Sequence, residues 1–146
     1  MVFYFTIFSV SFSYTFIGDD ILKYFRTDGI RGEAYTELTL TLAYLIGLFF
    51  FFFLKKVVIR MDTRESSPVI ASAIYDGLNG CKDISFAGVI PTPGLMYYTL
   101  VNNCIGIMIT ASHNPYQDNG IKIVDSGRKI TKELSEEIEK FIEKKN

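Results

Sequence analysis

Ser112 stands in the string Thr110-Ala111-Ser112-His113-Asn114-Pro115-Tyr116-Gln117-Asp118-Asn119-Gly120-Ile121-Lys122, directly after the apolar run Ile105-Gly106-Ile107-Met108-Ile109. Asn and His side chains and main-chain N–H groups lie close to its hydroxyl in sequence. That setting suits a hydroxyl that carries or receives an anionic group. Lys122, returning from the polar stretch, adds fixed positive charge at the same edge. The string also reads as an ordinary strand-connecting loop of Asx and Ser turns, and spacing alone does not separate the two. His113 is the single histidine, and as the immediate neighbour of Ser112 it is poorly placed to be the base of a Ser-His-Asp triad. Cys81 and Cys104 lie 23 positions apart without a CxxC, a CxxH or a His-rich partner, which leaves zinc and thioredoxin-type readings unsupported. Both read as reduced thiols, in keeping with a cytoplasmic chain.

The flanking pattern is that of an α/β protein. Val57-Val58-Ile59 predicts a strand that stops at Asp62-Thr63-Arg64, and Ser66-Ser67-Pro68 offers a serine N-cap with Pro at the first helical position. Val69, Ile70, Ala73, Ile74 and Leu78 follow at helical spacing, with Gly80 as the stop. Ile84 to Ala87 predicts a second strand, ending in the turn-rich Gly88-Val89-Ile90-Pro91-Thr92-Pro93-Gly94 before a short helix around Leu95 to Val101. Ile105 to Thr110 reads as a buried central strand. Asp118-Asn119-Gly120 supplies an Asn-Gly turn that takes positive φ and sends the chain back as Ile121-Lys122-Ile123-Val124. Thr131 to Lys145 is an amphipathic helix with Leu134, Ile138, Phe141 and Ile142 on its inner stripe. Strand and helix alternation argues for a largely parallel sheet covered by helices on both sides. Ligands of such sheets bind beyond the carboxyl ends of strands, where Asp62 to Arg64, Pro91 to Gly94 and Ala111 to Gly120 all fall.

A chain of 146 residues leaves room for one compact domain. Its 49% hydrophobic content excludes a disordered tail, and a net charge of −1 gives no basic footprint for nucleic acid. Phenylalanine is unevenly spread, with 11 of 13 in the first 53 residues. Residues 1–18 and residues 38–54 carry no charge, and the second run is close to the ~20 apolar residues a spanning helix needs. The favoured reading of 38–54 is a buried helix with Leu38, Leu42, Leu45 and Phe49 on one face, and a membrane-anchored chain is the weaker alternative.

ITASHNPYQDNGIK resembles the phosphoserine loop of the α-D-phosphohexomutases, and its tail is particularly similar to the phosphoglucosamine mutase branch. Phe25-Arg26-Thr27-Asp28-Gly29-Ile30-Arg31-Gly32, Asp62-Thr63-Arg64 and Val89-Ile90-Pro91-Thr92-Pro93 stand in that family's order. The resemblance covers residues 22–146 and leaves 1–21 as an unassigned apolar extension. It implies a three-layer α/β/α domain with a mostly parallel mixed sheet, the first of four domains. It also implies that Ser112 carries a phosphoryl group and passes it to a hexosamine or hexose phosphate through a bisphosphate, the phosphoryl oxygen being a ligand of Mg²⁺. By the same resemblance Arg31 and Lys122 stabilise charge, His113 and Asn114 orient the loop, and Thr110, Asp62 and Arg64 position it. The expected reaction interconverts glucosamine 6-phosphate and glucosamine 1-phosphate, with phosphomannomutase or phosphoglucomutase chemistry as the alternative. Two departures stand out: Arg26 where that branch has Gly, and Arg60-Met61 where the family has Gly-Arg. No string here matches the metal, sugar-selecting or phosphate-clamping loops of the later domains. The isolated chain is therefore expected to be nearly inactive and to need the missing downstream domains as partners. The alternative of another class is a non-catalytic remnant or binding module.

Overall fold

The computed structural model describes residues 25–26, 29–53, 55–79 and 83–145. Expectations for residues 1–21, for Thr27-Asp28 of the first motif, for the Gly80 stop and for Cys81 lie outside the described residues. The elements run β1 (Phe25–Arg26), β2 (Gly29–Glu33), α1 (Leu40–Phe51), β3 (Val57–Met61), α2 (Ser67–Gly77), β4 (Ile84–Phe86), α3 (Thr92–Asn102), β5 (Ile105–Ile109), β6 (Asp118–Asp125), β7 (Arg128–Lys129) and α4 (Lys132–Lys145).

Most of the uncharged run at 38–54 forms the helix α1 (Leu40–Phe51), largely buried. Thr39 caps α1 by accepting from the Leu42 N–H at 3.2 Å, and Leu38, Leu42, Ile46 and Phe50 are fully buried. Apolar residues surround nearly the whole helix because α1 packs against α2 and α4 as well as the sheet. Gly47 and Gly77 bring α1 and α2 together so closely that a methyl group at Gly77 would overlap the Tyr44 carbonyl oxygen. The phenylalanine block divides: Phe49 packs edge-on against Phe50 and Phe141 at centroid distances of 5.1 and 5.5 Å, while Phe51 and Phe52 are exposed. Among the described residues no helix is long and apolar enough to cross a membrane.

The sheet is mixed, with order β1-β2-β6-β5-β3-β4 and β7 against β6. β3 pairs in parallel with both β4 and β5, and the remaining pairings are antiparallel. β5 is buried at every position, as its apolar run predicts. Helices α1, α2 and α4 cover one face and α3 the other, which gives the three α/β/α layers. Cys104 is a free, buried thiol whose pKa is pushed up by burial, an inert setting.

Two local expectations are corrected. Asp118-Asn119-Gly120 is the first part of β6, paired with Arg31, Gly32 and Glu33, and makes no turn. The tight reversal lies at Ser126-Gly127, with φ of 49° and 82°, between Asp125 and its partner Arg128. Ser66 precedes α2 without a side-chain cap bond, because its hydroxyl accepts from Asn119 Nδ2 at 2.8 Å.

Candidate functional site

The sheet topology gathers the chemically active residues at one edge. β3 ends at Met61 and β5 at Ile109, and both run in the same direction, so Asp62 and Thr110 emerge together. The Asp62 N–H donates to the Ile109 carbonyl at 3.0 Å, and the Thr110 N–H to that of Gly120 at 2.9 Å. Residues 111–117 form a loop between β5 and β6, and Ser112 lies within it at φ 53°, a left-handed conformation uncommon for a residue with a side chain. The Ser112 N–H donates to Thr110 Oγ1 at 3.1 Å. Its side chain is directed outward, where Lys122 Nζ donates to Ser112 Oγ at 3.0 Å.

Arg64 organises this loop. Its Nη1 donates to the carbonyls of Pro115 at 2.6 Å and Asp118 at 2.9 Å, and its Nη2 to those of Ser112 and Asn114, each at 3.0 Å. One planar guanidinium thereby fixes four main-chain oxygens, with charge-assisted bonds stronger than neutral ones. Asp62 Oδ2 accepts from Arg64 Nε at 3.2 Å, while Oδ1 accepts from the Arg64 N–H at 3.0 Å and Ser67 Oγ at 2.8 Å. Burial alone would raise the Asp62 pKa, but hydrogen bonds from Ser67, the Arg64 main chain and Thr110, with the Arg64 charge, hold it below its ordinary value.

Asn119, fully buried, ties the loop to the start of α2. Its Nδ2 donates to Ser66 Oγ and Ser67 Oγ at 2.8 and 3.0 Å, and its Oδ1 accepts from the Gly120 N–H at 2.8 Å. Asn114 Nδ2 donates to Asp118 Oδ2 at 3.1 Å. The Tyr116 hydroxyl accepts from the Glu65 N–H at 3.1 Å. Sequence reasoning placed Asn119 in a turn and gave it no part in the site. The only signal for its role was an Asn at a position that alternation directs inward.

Arg31 on β2 pairs with Gly120, two positions before Lys122 on β6, so Arg31 and Lys122 share one face of the sheet. A Cβ at Gly120 would come within 2.6 Å of the Thr110 carbonyl oxygen, and its absence lets the strands close under the site. His113 is exposed, and none of the described hydrogen bonds involves its ring. The structure thus brings Ser112, Lys122, Thr110, Asn114, Asp62 and Arg64 together and sets Arg31 alongside, while His113 faces solvent. A preformed hydroxyl beside an ammonium, in a loop locked by a buried guanidinium, can accept and hold an anionic group.

The model of the phosphoglucomutase/phosphomannomutase alpha/beta/alpha domain I matches residues 22–146. The chain belongs to this family. It is 44% identical over 133 residues to the phosphoglucosamine mutase of Fusobacterium nucleatum subsp. nucleatum, a match covering 83% of this chain and 29% of that relative. The phosphoglucosamine mutase of Finegoldia magna is 45% identical over 129 residues, with the same coverages. A crystal structure of a phosphoglucomutase/phosphomannomutase family protein from Burkholderia thailandensis superposes with a TM-score of 0.70 at 28% identity, covering 84% of this chain and 30% of that one. The chain therefore spans under a third of the length of the relatives it matches. Within this family domain the Gly29 to Gly32 part of the first motif, Asp62 to Arg64 and Thr110 to Lys122 are brought together through the β2, β6, β5 and β3 pairings.

Proposed function

We propose that this chain is the phosphoserine-bearing first domain of a mutase that interconverts glucosamine 6-phosphate and glucosamine 1-phosphate, with Ser112 as the phosphoryl carrier. The observation that carries the reading is the 3.0 Å contact from Lys122 Nζ to Ser112 Oγ in a loop already fixed by Arg64. The ammonium favours the developing negative charge on Oγ when a phosphoryl group leaves it, and it neutralises the phosphoryl oxygens when the group is in place. Arg31, on the same face, extends that positive field toward the sugar phosphate. Asn114 and Thr110 hold the loop's shape, and His113, free at the surface, is available as a hydrogen-bond donor to the phosphate.

Mg²⁺ is expected from the resemblance, held here through a phosphoryl oxygen on Ser112. Among the described residues no group of three or more His, Cys, Asp or Glu side chains could hold a metal ion. The other metal ligands would come from the missing downstream domains. Phosphoryl transfer depends on positioning and electrostatics, so a domain that supplies the carrier without the rest of the relatives' length turns over little substrate by itself.

Identity of 44 to 45% with proteins named phosphoglucosamine mutase favours the amino sugar. The Phe25-Arg26 pair, which resembles the phosphomannomutase/phosphoglucomutase branch, favours a mannose or glucose phosphate as the second reading. A phosphosugar substrate and the free thiol of Cys104 accord with a cytoplasmic site of action.

The test supplies the remaining domains of a relative, Mg²⁺ and a labelled hexose bisphosphate, then maps the phosphopeptide. Label on Ser112 and loss of turnover in Ser112→Ala are expected. Label elsewhere, or undiminished turnover in Ser112→Ala, overturns the assignment. Comparing glucosamine, mannose and glucose phosphates in the same assay decides the sugar.

A further inference from the structure

Arg60 lies on β3 in the otherwise apolar strand Val57-Val58-Ile59-Arg60-Met61. It is only 6% exposed, and neither Nε nor Nη1 finds a hydrogen-bond partner. Buried guanidinium donors left in this condition are costly and call for an anion. Strand register places Arg60 in line with Lys122. Arg60 pairs with Met108 on β5, and Met108 pairs with Lys122 on β6, so the three side chains form one row on the α3 face. With adjacent strands about 4.8 Å apart, the Arg60 and Lys122 backbones are about 10 Å apart.

Thr92 Oγ1 donates to Met108 Sδ at 3.1 Å, which sets the first turn of α3 over the strand between the two cations. That turn adds the positive end of the helix dipole. Burial also lowers the Arg60 pKa, opposed by nearby Tyr98, as for a cation held without its counter-ion.

We propose that Arg60 is the anchor of a phosphate subsite beside Ser112, holding an oxygen of a phosphate group on the bound sugar while Lys122 attends the serine. Naming the anion a sugar phosphate rests on the mutase reading, whereas the need for an oxyanion rests on the buried guanidinium alone. Arg60 acts here as a substrate-positioning residue and takes no part in bond making.

The test follows the arginine Nε–H signals of the ¹⁵N-labelled 146-residue chain by NMR during titration with inorganic phosphate to about 50 mM, with chloride at matched ionic strength as control. The signal missing from Arg60→Met is expected to shift and saturate with phosphate and not with chloride. Arg60→Met should bind phosphate about tenfold more weakly or worse, with Arg60→Lys between the two. Without phosphate, Arg60→Met should melt no lower than the parent, because the change removes unpaired buried donors; a purely structural arginine would give a lower midpoint. An Nε–H signal that stays still, that moves equally with chloride, or undiminished binding in Arg60→Met overturns the proposal. Repeating the titration in Ser112→Ala separates the two readings. A retained Arg60 shift supports the subsite even if phosphopeptide mapping denies Ser112 its role, and a lost shift refutes a subsite anchored by Arg60.

Discussion

The two faces of the sheet are built differently. On the side of α1, α2 and α4, the described residues include 23 buried hydrophobic side chains in one cluster, with helices packed on each other as well as on the strands. On the α3 side the corresponding cluster has five, Val58, Leu95, Cys104, Met108 and Val124. There α3 leaves Tyr97, Leu100 and Val101 exposed. Arg31, Arg60 and Lys122 all belong to the thinner face. A second full layer of helices would have sealed Arg31 and Lys122, which are half-buried, from any ligand. Hydrophobic burial therefore accumulates on one side, and the polar contacts that shape the site gather at the strand ends beside the start of α2.

The largest expected effect tests the thick face. Gly77→Ala places a methyl on the Tyr44 carbonyl oxygen and within 2.8 Å of the Leu48 nitrogen. Separating α1 from α2 to relieve this should cost about 4 kcal/mol or more, read as loss of cooperative melting by circular dichroism. If the variant melts normally, the claim that this face carries the stability is broken.

Next comes the hub of the polar loop at the strand ends. Arg64→Met removes the donors to four carbonyls and should destabilise the chain by about 3 kcal/mol in urea unfolding. It should also remove hydrogen-exchange protection across residues 111–118 while β3 and β5 stay protected, an outcome that would sharpen the contrast between the apolar core and the polar loop.

A third, smaller effect is on pH dependence. The Asp62 pKa is below its unfolded value near 3.9, so the stability it contributes is present above that value. That contribution is lost as pH falls through the lower folded pKa. Asp62→Asn should therefore flatten the acid limb of a melting-temperature profile and leave the limb above neutrality unchanged in shape. The smallest effect belongs to the exposed surface of α3: Tyr97→Ser, at a residue 70% exposed, should alter stability by less than about 0.5 kcal/mol. A larger loss would mean that α3 holds the fold more tightly than its sparse packing indicates.

Legibility in the sequence followed the range of the forces involved. α4 could be read from its stripe of Leu134, Ile138, Phe141 and Ile142, and β5 from its unbroken apolar run, because both signals are local. The pairing of β2 with β6 could not, since Gly29 and Lys122 are joined across most of the chain and no local pattern encodes a partner that distant. That pairing is also why Asp118-Asn119-Gly120 is strand. Ladder bonds to residues 31–33 and the serine hydroxyls at 66 and 67 outweigh the turn preference of Asn-Gly. At the site, Ser112 and Lys122 could be read because the polar stretch returns to the edge it leaves. Arg64 was legible as part of a polar triplet, but its four carbonyl acceptors are main-chain groups, which carry no residue-type signal.

The pairing of β2 with β6 also bears on how the chain is made. The segment carrying Arg31 leaves the ribosome early, yet its strand partner includes Lys122, about 90 residues later. At ordinary synthesis rates that interval is roughly 5 to 20 s. Throughout it, β3, α2, β4, α3 and β5 can assemble from nearer neighbours, while β2 has only the two-residue strand β1 to pair with. The parallel half of the sheet is thus available as a template first, and β6 reaches it with its other edge still open. Docking β2 against that edge is the step that brings Arg31 to the face where Lys122 meets Ser112, so Arg31 joins the site only after β6 has emerged.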